Sequence, residues 1–358
     1  MPRRVIRGYT ARMISRADYF LAHRLTAPVI MGVINVTPDS FSDAGQFQTS
    51  TGISHTAAVE HALNLAGQGA AILDIGGEAS SFHRPGIGPV DPEEQIRRIV
   101  PVIEEIARRR GAADSLSPAA VPPIGDALRT PGEFPAADTA TPATGRGPLL
   151  PQSGSSGPSH GPLISVDTRS SMVAAAALRA GADMINDISA GTDDPEMLLL
   201  AARMSCPIIL MHRREERPGQ APPAYANVCA EVAGYLRQRS EKALAAGVEP
   251  QRILLDPGLG FGKSSADNWK LLAGISELAT LGFPVVLGAS RKRFLADLLP
   301  PHQREASPDG WLARDILTSE ITVLAAGRGV RIHRVHQVPL ARQALEVFAR
   351  MTVTEQDS

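Results

Sequence analysis

The sequence predicts a single (β/α)8 TIM barrel, and three observations carry that expectation. Eight short runs rich in aliphatic residues recur at 28–36, 71–77, 163–168, 184–189, 207–212, 253–258, 284–290 and 330–336. Each is close to continuously apolar, the pattern of a parallel strand covered on both faces. A stretch of helical period follows each run, so strand and helix alternate around a closed sheet rather than an open one.

Taken in order, residues 1–27 read as an N-terminal extension. Its start, Met1-Pro2-Arg3-Arg4-Val5-Ile6-Arg7, is basic but has no apolar segment behind it of the kind a secretory signal needs. A helix is expected at about 54–68 after the first run. The second run leads to the clearest helix: Asp91 is a good N-cap, Pro92 fits the first turn and Glu94 stands where a capping box wants an acid. Ile96, Ile99, Val100, Ile103 and Ile106 then mark one face. Residues 111–162 break the rhythm with ten prolines and eight glycines and no periodicity, and are expected to be a mobile insertion on the N-terminal face, a tolerated linker. Further helices are expected at about 170–180, 194–204, 225–246, 266–279, 311–327 and 338–351. The barrel domain then spans 28–352, with 353–358 as a tail.

Composition bounds the function. The chain has 358 residues, more than most domains, but one barrel absorbs them. Thirty-six basic against 37 acidic residues leave a formal charge of −1, so no global field favours nucleic acid or an anionic membrane. Cys206 and Cys229 make neither a disulfide framework nor a cysteine-only zinc site. No apolar run approaches the roughly 18–20 residues of a membrane span. The expectation is a soluble, intracellular α/β protein with a single core, placed in the cytoplasm.

In such a barrel the chemistry stands at the C-terminal ends of the strands. Here those ends carry Asn35, Thr37 and Asp39; Asp74 and Glu78; Asp167 and Arg169; Asn186 and Asp187; His212; Asp256; Ser290 and Lys292; and Arg334 and His336. Asp167, Asn186 and Asp256 are short groups on stiff elements, suited to a flat heterocycle with adjacent N–H donors and carbonyl acceptors. Arg84, Arg334 and His336 supply the opposite sign and, with Asn35, suit a phosphate or diphosphate, with a divalent cation at the Asn35 oxygen. Lys292 is a point charge for a carbonyl, a ring nitrogen or a carboxylate.

Other signals point away from chemistry. Gly258-Leu259-Gly260-Phe261-Gly262-Lys263-Ser264 has the look of a nucleotide phosphate loop, but Pro257 holds the first glycine position. His333 and His336 are three apart, which in a strand puts them on opposite faces and argues against a shared metal. His212 is left open between polarising a ligand and a hydrogen-bonded strand end.

At these residues the chain strongly resembles the dihydropteroate synthases of the pterin-binding barrel superfamily. The matching stretches are 31–43 (MGVINVTPDSFSD), 74–78 (DIGGE), 166–168 (VDT), 185–188 (INDI), 256–263 (DPGLGFGK), 290–292 (SRK) and 334–336 (RVH), in the family's order. The resemblance implies condensation of 6-hydroxymethyl-7,8-dihydropterin diphosphate with p-aminobenzoate, releasing diphosphate, in folate biosynthesis. It implies catalytic roles for Asp167, Lys292, Asn35 and Arg84, and a pterin grip by Asp167, Asn186, Asp256 and Lys292. It implies a diphosphate site of Asn35, Arg84, Arg334 and His336, a p-aminobenzoate site of Ser290 and Lys292, and Mg²⁺ at Asn35. It also implies a homodimer, for which the helix at 311–327 is a candidate surface, and sensitivity to sulfonamides. A pterin-binding paralogue with little turnover and a methyltetrahydrofolate–corrinoid methyltransferase are the alternatives, the second disfavoured by the diphosphate-binding groups.

Three places depart from the family pattern. Residues 79–86 (ASSFHRPG) carry three more residues than the usual closing loop, Arg213-Arg214 follow His212, and Gln337 and Arg293 follow His336 and Lys292. The longer loop is expected to alter how p-aminobenzoate or a sulfonamide fits.

Overall fold

The structure is a computed structural model describing residues 15–37, 48–49, 52–78, 88–115, 161–214 and 224–354. Strand β1 (Val29–Asn35) is followed by a two-stranded antiparallel hairpin, β2 (Gln48–Thr49) and β3 (Gly52–Ile53). Seven more strands follow: β4 (Ile72–Gly76), β5 (Leu163–Asp167), β6 (Met184–Asp187), β7 (Ile208–Met211), β8 (Ile253–Asp256), β9 (Val285–Leu287) and β10 (Val330–Val335). All but the hairpin are parallel and close a barrel in the order β1-β10-β9-β8-β7-β6-β5-β4. The eight-stranded barrel read from the sequence is therefore the fold.

Helices α1 (Arg16–His23), α2 (His55–Gly67), α3 (Pro92–Ser115), α4 (Ser171–Arg179), α5 (Glu196–Arg203), α6 (Val228–Ala245), α7 (Ser265–Ala273), α8 (Ser276–Ala279), α9 (Pro308–Ala326) and α10 (Val338–Thr354) complete it. Their boundaries follow local chemistry. Ser54 accepts from Ala57 N–H at 3.2 Å and starts α2. Asn227 does the same for Ala230 N–H at 3.1 Å, so α6 begins later than the expected 225. Ser307-Pro308, a cap followed by a first-turn proline, starts α9 three residues before the expected 311. The region expected as one helix over 266–279 divides at Gly274 into α7 and α8. Helix α3 continues through 111–115, which the sequence reading gave to the insertion; Ala112 and Ala113 favour helix. The rest of that segment, 116–160, lies outside the described residues.

Two apolar layers hold the barrel. Each barrel strand sends one residue into the lower interior: Met31, Ile72, Leu163, Met184, Ile209, Leu254, Val286 and Ile332. Phe20 of α1 and Leu25 just after it join this cluster and close the barrel floor. Residues 16–27, expected to be an extension, thus contribute to the core. Arg252 Nε and Nη2 tie the plug down on Asp18 at 3.1 and 3.0 Å. The larger second cluster lies between strands and helices, and with the floor sealed only the opposite mouth is left for chemistry. Among the described residues no helix is long and apolar enough to cross a membrane.

Candidate active site

The strand register sets the site. Asn35 is level with Gly76, Gly76 with Asp167, and Asp167 with Asn186, so these four form a belt at the C-terminal rim. Gly76 supplies no side chain, and a Cβ there would stand 3.4 Å from the Asp167 Cβ. The belt is therefore open beside the Asp167 carboxylate.

At its centre Arg334 reaches across from β10. Nε donates to Asp74 Oδ2 and Nη2 to Asp167 Oδ2, both at 2.7 Å. Asn186 Nδ2 donates to the same Asp74 oxygen at 3.0 Å, while the buried Asp74 Oδ1 has no hydrogen-bond partner among the described residues. Burial pushes the Asp167 carboxyl up to about 7; Arg334 opposes this, and Asp74, Glu78 and Asp187 push further the same way. Burial works against the Arg334 charge too, but Asp74 and Asp167 outweigh it and raise its pKa.

Asp256, at the end of β8, is buried and raised by that burial, against the Gly258 N–H that donates to its Oδ1 at 2.7 Å and the nearby charges of Lys292, Arg334 and Lys263. Lys292 Nζ stands 4.0 Å from the centroid of the Phe261 ring. Ser290 Oγ lies 2.9 Å from His336 Nδ1 and accepts from His336 N–H at 3.2 Å. Burial, followed by Arg291, Arg334 and Lys292, drives the His336 pKa well below its ordinary value. Its imidazole is therefore neutral at pH 7, which corrects the expectation that it adds positive charge. Asp167, Asn186, Asp256, Lys292, Ser290, Arg334, His336 and Asn35 thus gather around one mouth. Arg84 and the loop 79–86 lie outside the described residues.

The GLGFGK stretch does structural work. Gly258, Gly260 and Gly262 have φ of +66°, +78° and +63°, and this coiling turns Lys263 inward. Lys263 Nζ donates to Gly258 O at 2.8 Å and Phe261 O at 3.1 Å and lies 2.9 Å from His212 Nδ1. Burial and the Lys263 charge push His212 down to about 3, so it accepts from the ammonium as a neutral ring. Of its two readings, the hydrogen-bonded strand end is the one seen. A phosphate loop would aim this lysine outward.

The sequence reading missed four groups. Asp74 stood among the strand-end residues without a role, although a carboxylate inside an apolar run signals a buried partner. Glu78 accepts from Val90 N–H at 2.8 Å and Arg169 Nη2 at 2.7 Å, and Arg169 and Arg213 both bind Asp193. This chain of charges links four successive loops around the mouth and gives the unusual Arg213 a structural partner. Lys263 and Asp315 are the others. A cavity of about 220 Å³ lined by Arg16, Tyr19, Phe20 and Gly69 lies under α1 at the opposite end of the barrel, and none of the site residues lines it.

Comparison with known proteins agrees with this geometry. A family model described as "Pterin binding enzyme" matches residues 31–117 and 156–336. Dihydropteroate synthase of Mycobacterium leprae is 37% identical over 326 residues, covering 90% of this chain and 93% of that protein. The Xanthomonas albilineans dihydropteroate synthase solved with 4-aminobenzoic acid is 37% identical with a TM-score of 0.66, covering 93% of this chain and 97% of that one. The same enzyme solved with 7,8-dihydropteroate aligns at 34% identity and a TM-score of 0.66, covering 93% of this chain and 98% of that one.

Proposed function

This chain belongs to the pterin-binding enzyme family, and on that premise we propose that it is the working synthase: it condenses 6-hydroxymethyl-7,8-dihydropterin diphosphate with p-aminobenzoate to give 7,8-dihydropteroate and diphosphate. The observation that carries the reading is the Asp74–Arg334–Asp167–Asn186 cluster, a buried group of acceptors and donors at the level of the open rim. A flat heterocycle bearing adjacent N–H donors matches it, with Asp256 on the facing strand and Lys292 at the oxygen and nitrogen edge.

Charge defines the remaining roles. Arg334 commits Nε and Nη2 to carboxylates, which leaves Nη1 for the diphosphate. His336, neutral and with Nδ1 against Ser290 Oγ, offers Nε2–H as a hydrogen bond rather than a charge. Lys292 then joins Arg334 as a cation for the diphosphate, and Arg84 is the one that the resemblance adds. As diphosphate leaves, positive charge grows on the carbon attached to the ring, and the carboxylates of Asp167 and Asp74 stabilise it through space without reorganising. Ser290 and Lys292 orient the p-aminobenzoate so that its neutral amine attacks that carbon, and its proton is then lost to solvent. No covalent enzyme intermediate is needed.

Mg²⁺ fits at Asn35. Among the described residues there is no cluster of three His, Cys, Asp or Glu, but a Mg²⁺ that keeps its waters and binds substrate phosphates needs only one or two protein oxygens. The half-buried Asn35 amide supplies one, and Thr37 Oγ1, two residues on, is buried without a hydrogen-bond partner among the described residues. When bound, the ion would neutralise diphosphate charge and make it a better leaving group.

The reading includes a homodimer in the cytoplasm. Leu312, Ile316 and Leu324, spaced by fours or eights along α9, are exposed, as are Val347 and Met351 on the adjoining α10. Such an apolar face suits a second copy of the chain; light scattering of wild type and of Ile316→Glu checks it.

The activity test follows diphosphate and dihydropteroate together. Equal amounts of both, dependent on p-aminobenzoate, are expected. Diphosphate release that ignores p-aminobenzoate, or pterin binding with no release, would favour the paralogue.

A further inference from the structure

The middle residue of Ser290-Arg291-Lys292 has no part in the scheme above, and its side chain leaves the site. Arg291 is the third residue of a turn closed by Lys292 N–H donating to Ala289 O at 3.3 Å. Its φ is +59°, a left-handed conformation in which glycine is at ease and an arginine is not. The guanidinium runs instead to α9. Nε donates to both Asp315 oxygens at 3.1 Å, and Nη2 donates to Oδ2 at 2.9 Å. The side chains are only 12% and 2% exposed. The Trp311 ring on the same helix lies 5.6 Å from Arg291 and 5.0 Å from Arg314. The two neighbours of Arg291 do the opposite: Ser290 Oγ meets His336 and Lys292 Nζ lies over Phe261.

We propose that Arg291 is a positioning residue: its buried two-point grip on Asp315 holds the left-handed turn that presents Ser290 and Lys292 to the second substrate. The inference rests on the reading that these two residues meet p-aminobenzoate. A bidentate pair fixes orientation as well as distance, so it anchors the turn to a helix that has no other business with the substrate. Released from Asp315, the arginine backbone relaxes toward negative φ, and both flanking side chains swing with it. The pterin cluster of Asp74, Asp167, Asn186 and Arg334 does not lean on this turn, so Lys292 is the pterin contact that moves with it.

That separation makes the test. Asp315→Asn keeps the shape of the partner and removes its charge. With fold and assembly checked by circular dichroism and light scattering, the KM for p-aminobenzoate is expected to rise by about tenfold or more. The Kd for pterin diphosphate, measured by calorimetry, is expected to rise by about threefold at most, because Lys292 is one contact there among Asp167, Asn186, Asp256 and Arg334. Adding Arg291→Gly to that variant is expected to recover most of the loss, because glycine takes φ of +59° unaided and leaves no unpaired guanidinium. An unchanged KM, an equal rise in both constants, or no recovery overturns the proposal. Should Asp315→Asn not fold, Arg291→Lys is read the same way, with a rise of about three- to tenfold expected and an unmoved KM overturning it. Dihydropteroate formation by the wild-type chain tests the underlying reading separately.

Discussion

Arg334 and Asp74 bind each other across the inside of the barrel, Nε to Oδ2 at 2.7 Å, although 260 residues separate them in the chain. Asp74 is fully buried and holds both Arg334 and Asn186 on one oxygen. Removing one partner of a buried ion pair leaves the other charge uncompensated and costs about 3–5 kcal/mol. Asp74→Ala is therefore expected to lower the unfolding free energy by about that much. Asp74→Asn is expected to fold but to lose about 100-fold in kcat/KM, because Arg334 then pulls fully onto Asp167. Urea unfolding and steady-state kinetics measure the two, and a fully active Asp74→Ala would remove Asp74 from the site.

Asp167 makes the site pH-sensitive in a stated direction. Its carboxyl is raised from 3.8 to about 7. The folded chain therefore carries an extra proton between those values, so this group's contribution to stability declines as pH rises through that window and is level above it. Pterin binding that uses the carboxylate as acceptor selects the ionised form. Affinity for pterin diphosphate is thus expected to rise up to about pH 7, with release of a proton on binding below it. Calorimetry in two buffers of different ionisation enthalpy counts that proton. Asp167→Asn should abolish the pH step, and a step that survives belongs to another group.

How much of this was legible in the sequence depended on where each partner lies. Asp167, Asn186 and Asp256 stand at the ends of apolar runs, so the barrel rule alone exposes them. Asp74 was harder, because it sits inside its run and its partner Arg334 comes from the last strand. The plug was illegible for another reason: α1 has eight residues, too few for a periodic signal, and Phe20 acquires meaning only once the barrel floor exists. The neutrality of His336 is a product of burial among three cations, which residue type alone does not reveal. The turn at Arg291 gave no warning either, since arginine is not a residue expected at positive φ.

Histidine burial predicts acid sensitivity. Burial lowers His333 to about 3; burial with the Lys263 charge takes His212 to about 3; and His336 also falls well below 6.5. All three are neutral in the fold but gain protons when it opens, so their contribution to stability is present above pH 6.5 and is lost as pH falls toward 3. His333 is the cleanest probe, being buried away from the substrate groups with Nε2 unpartnered among the described residues. His333→Phe is expected to flatten the fall in stability between about pH 6 and 4 by one proton, or about 1.4 kcal/mol per pH unit. Unfolding curves at several pH values decide it, and an unaltered slope would show that His333 does not titrate in this way.

Gly258 tests the loop that carries Asp256. Its φ is +66°, and a Cβ there would run into the carbonyl oxygen of His212. Neither backbone can yield easily, since Gly258 N–H is held by Asp256 and its carbonyl by Lys263. Gly258→Ala is expected to cost about 2–4 kcal/mol of stability and to weaken pterin binding with it. Lys263→Met should weaken pterin binding in the same direction by freeing the loop without a clash. If Gly258→Ala melts at the wild-type temperature, the loop is not held as described.

The segment 116–160 can be removed if its stem closes without it, and Arg110 indicates that it does. From α3, Arg110 Nη1 donates to Pro162 O at 2.9 Å, Nη2 to Gly181 O at 3.2 Å, and the guanidinium pairs with Asp183 at the start of β6. The chain on both sides of the segment is thus fastened to one arginine, just before Leu163 enters the barrel. The family match passes over 118–155 altogether. A linker of about ten residues spans roughly 33 Å, ample for the rise of the five helical residues 111–115 and the return to Gly161. Shortening 45 residues to that length should raise stability by about 1 kcal/mol through lower closure entropy. The kcat and both KM values are expected to stay within about twofold. A large rise in either KM would mean that the segment reaches the active mouth, and loss of stability would mean that it packs on the barrel; Arg110→Ala, expected to destabilise both the parent and the shortened chain, shows whether the stem is the fastening.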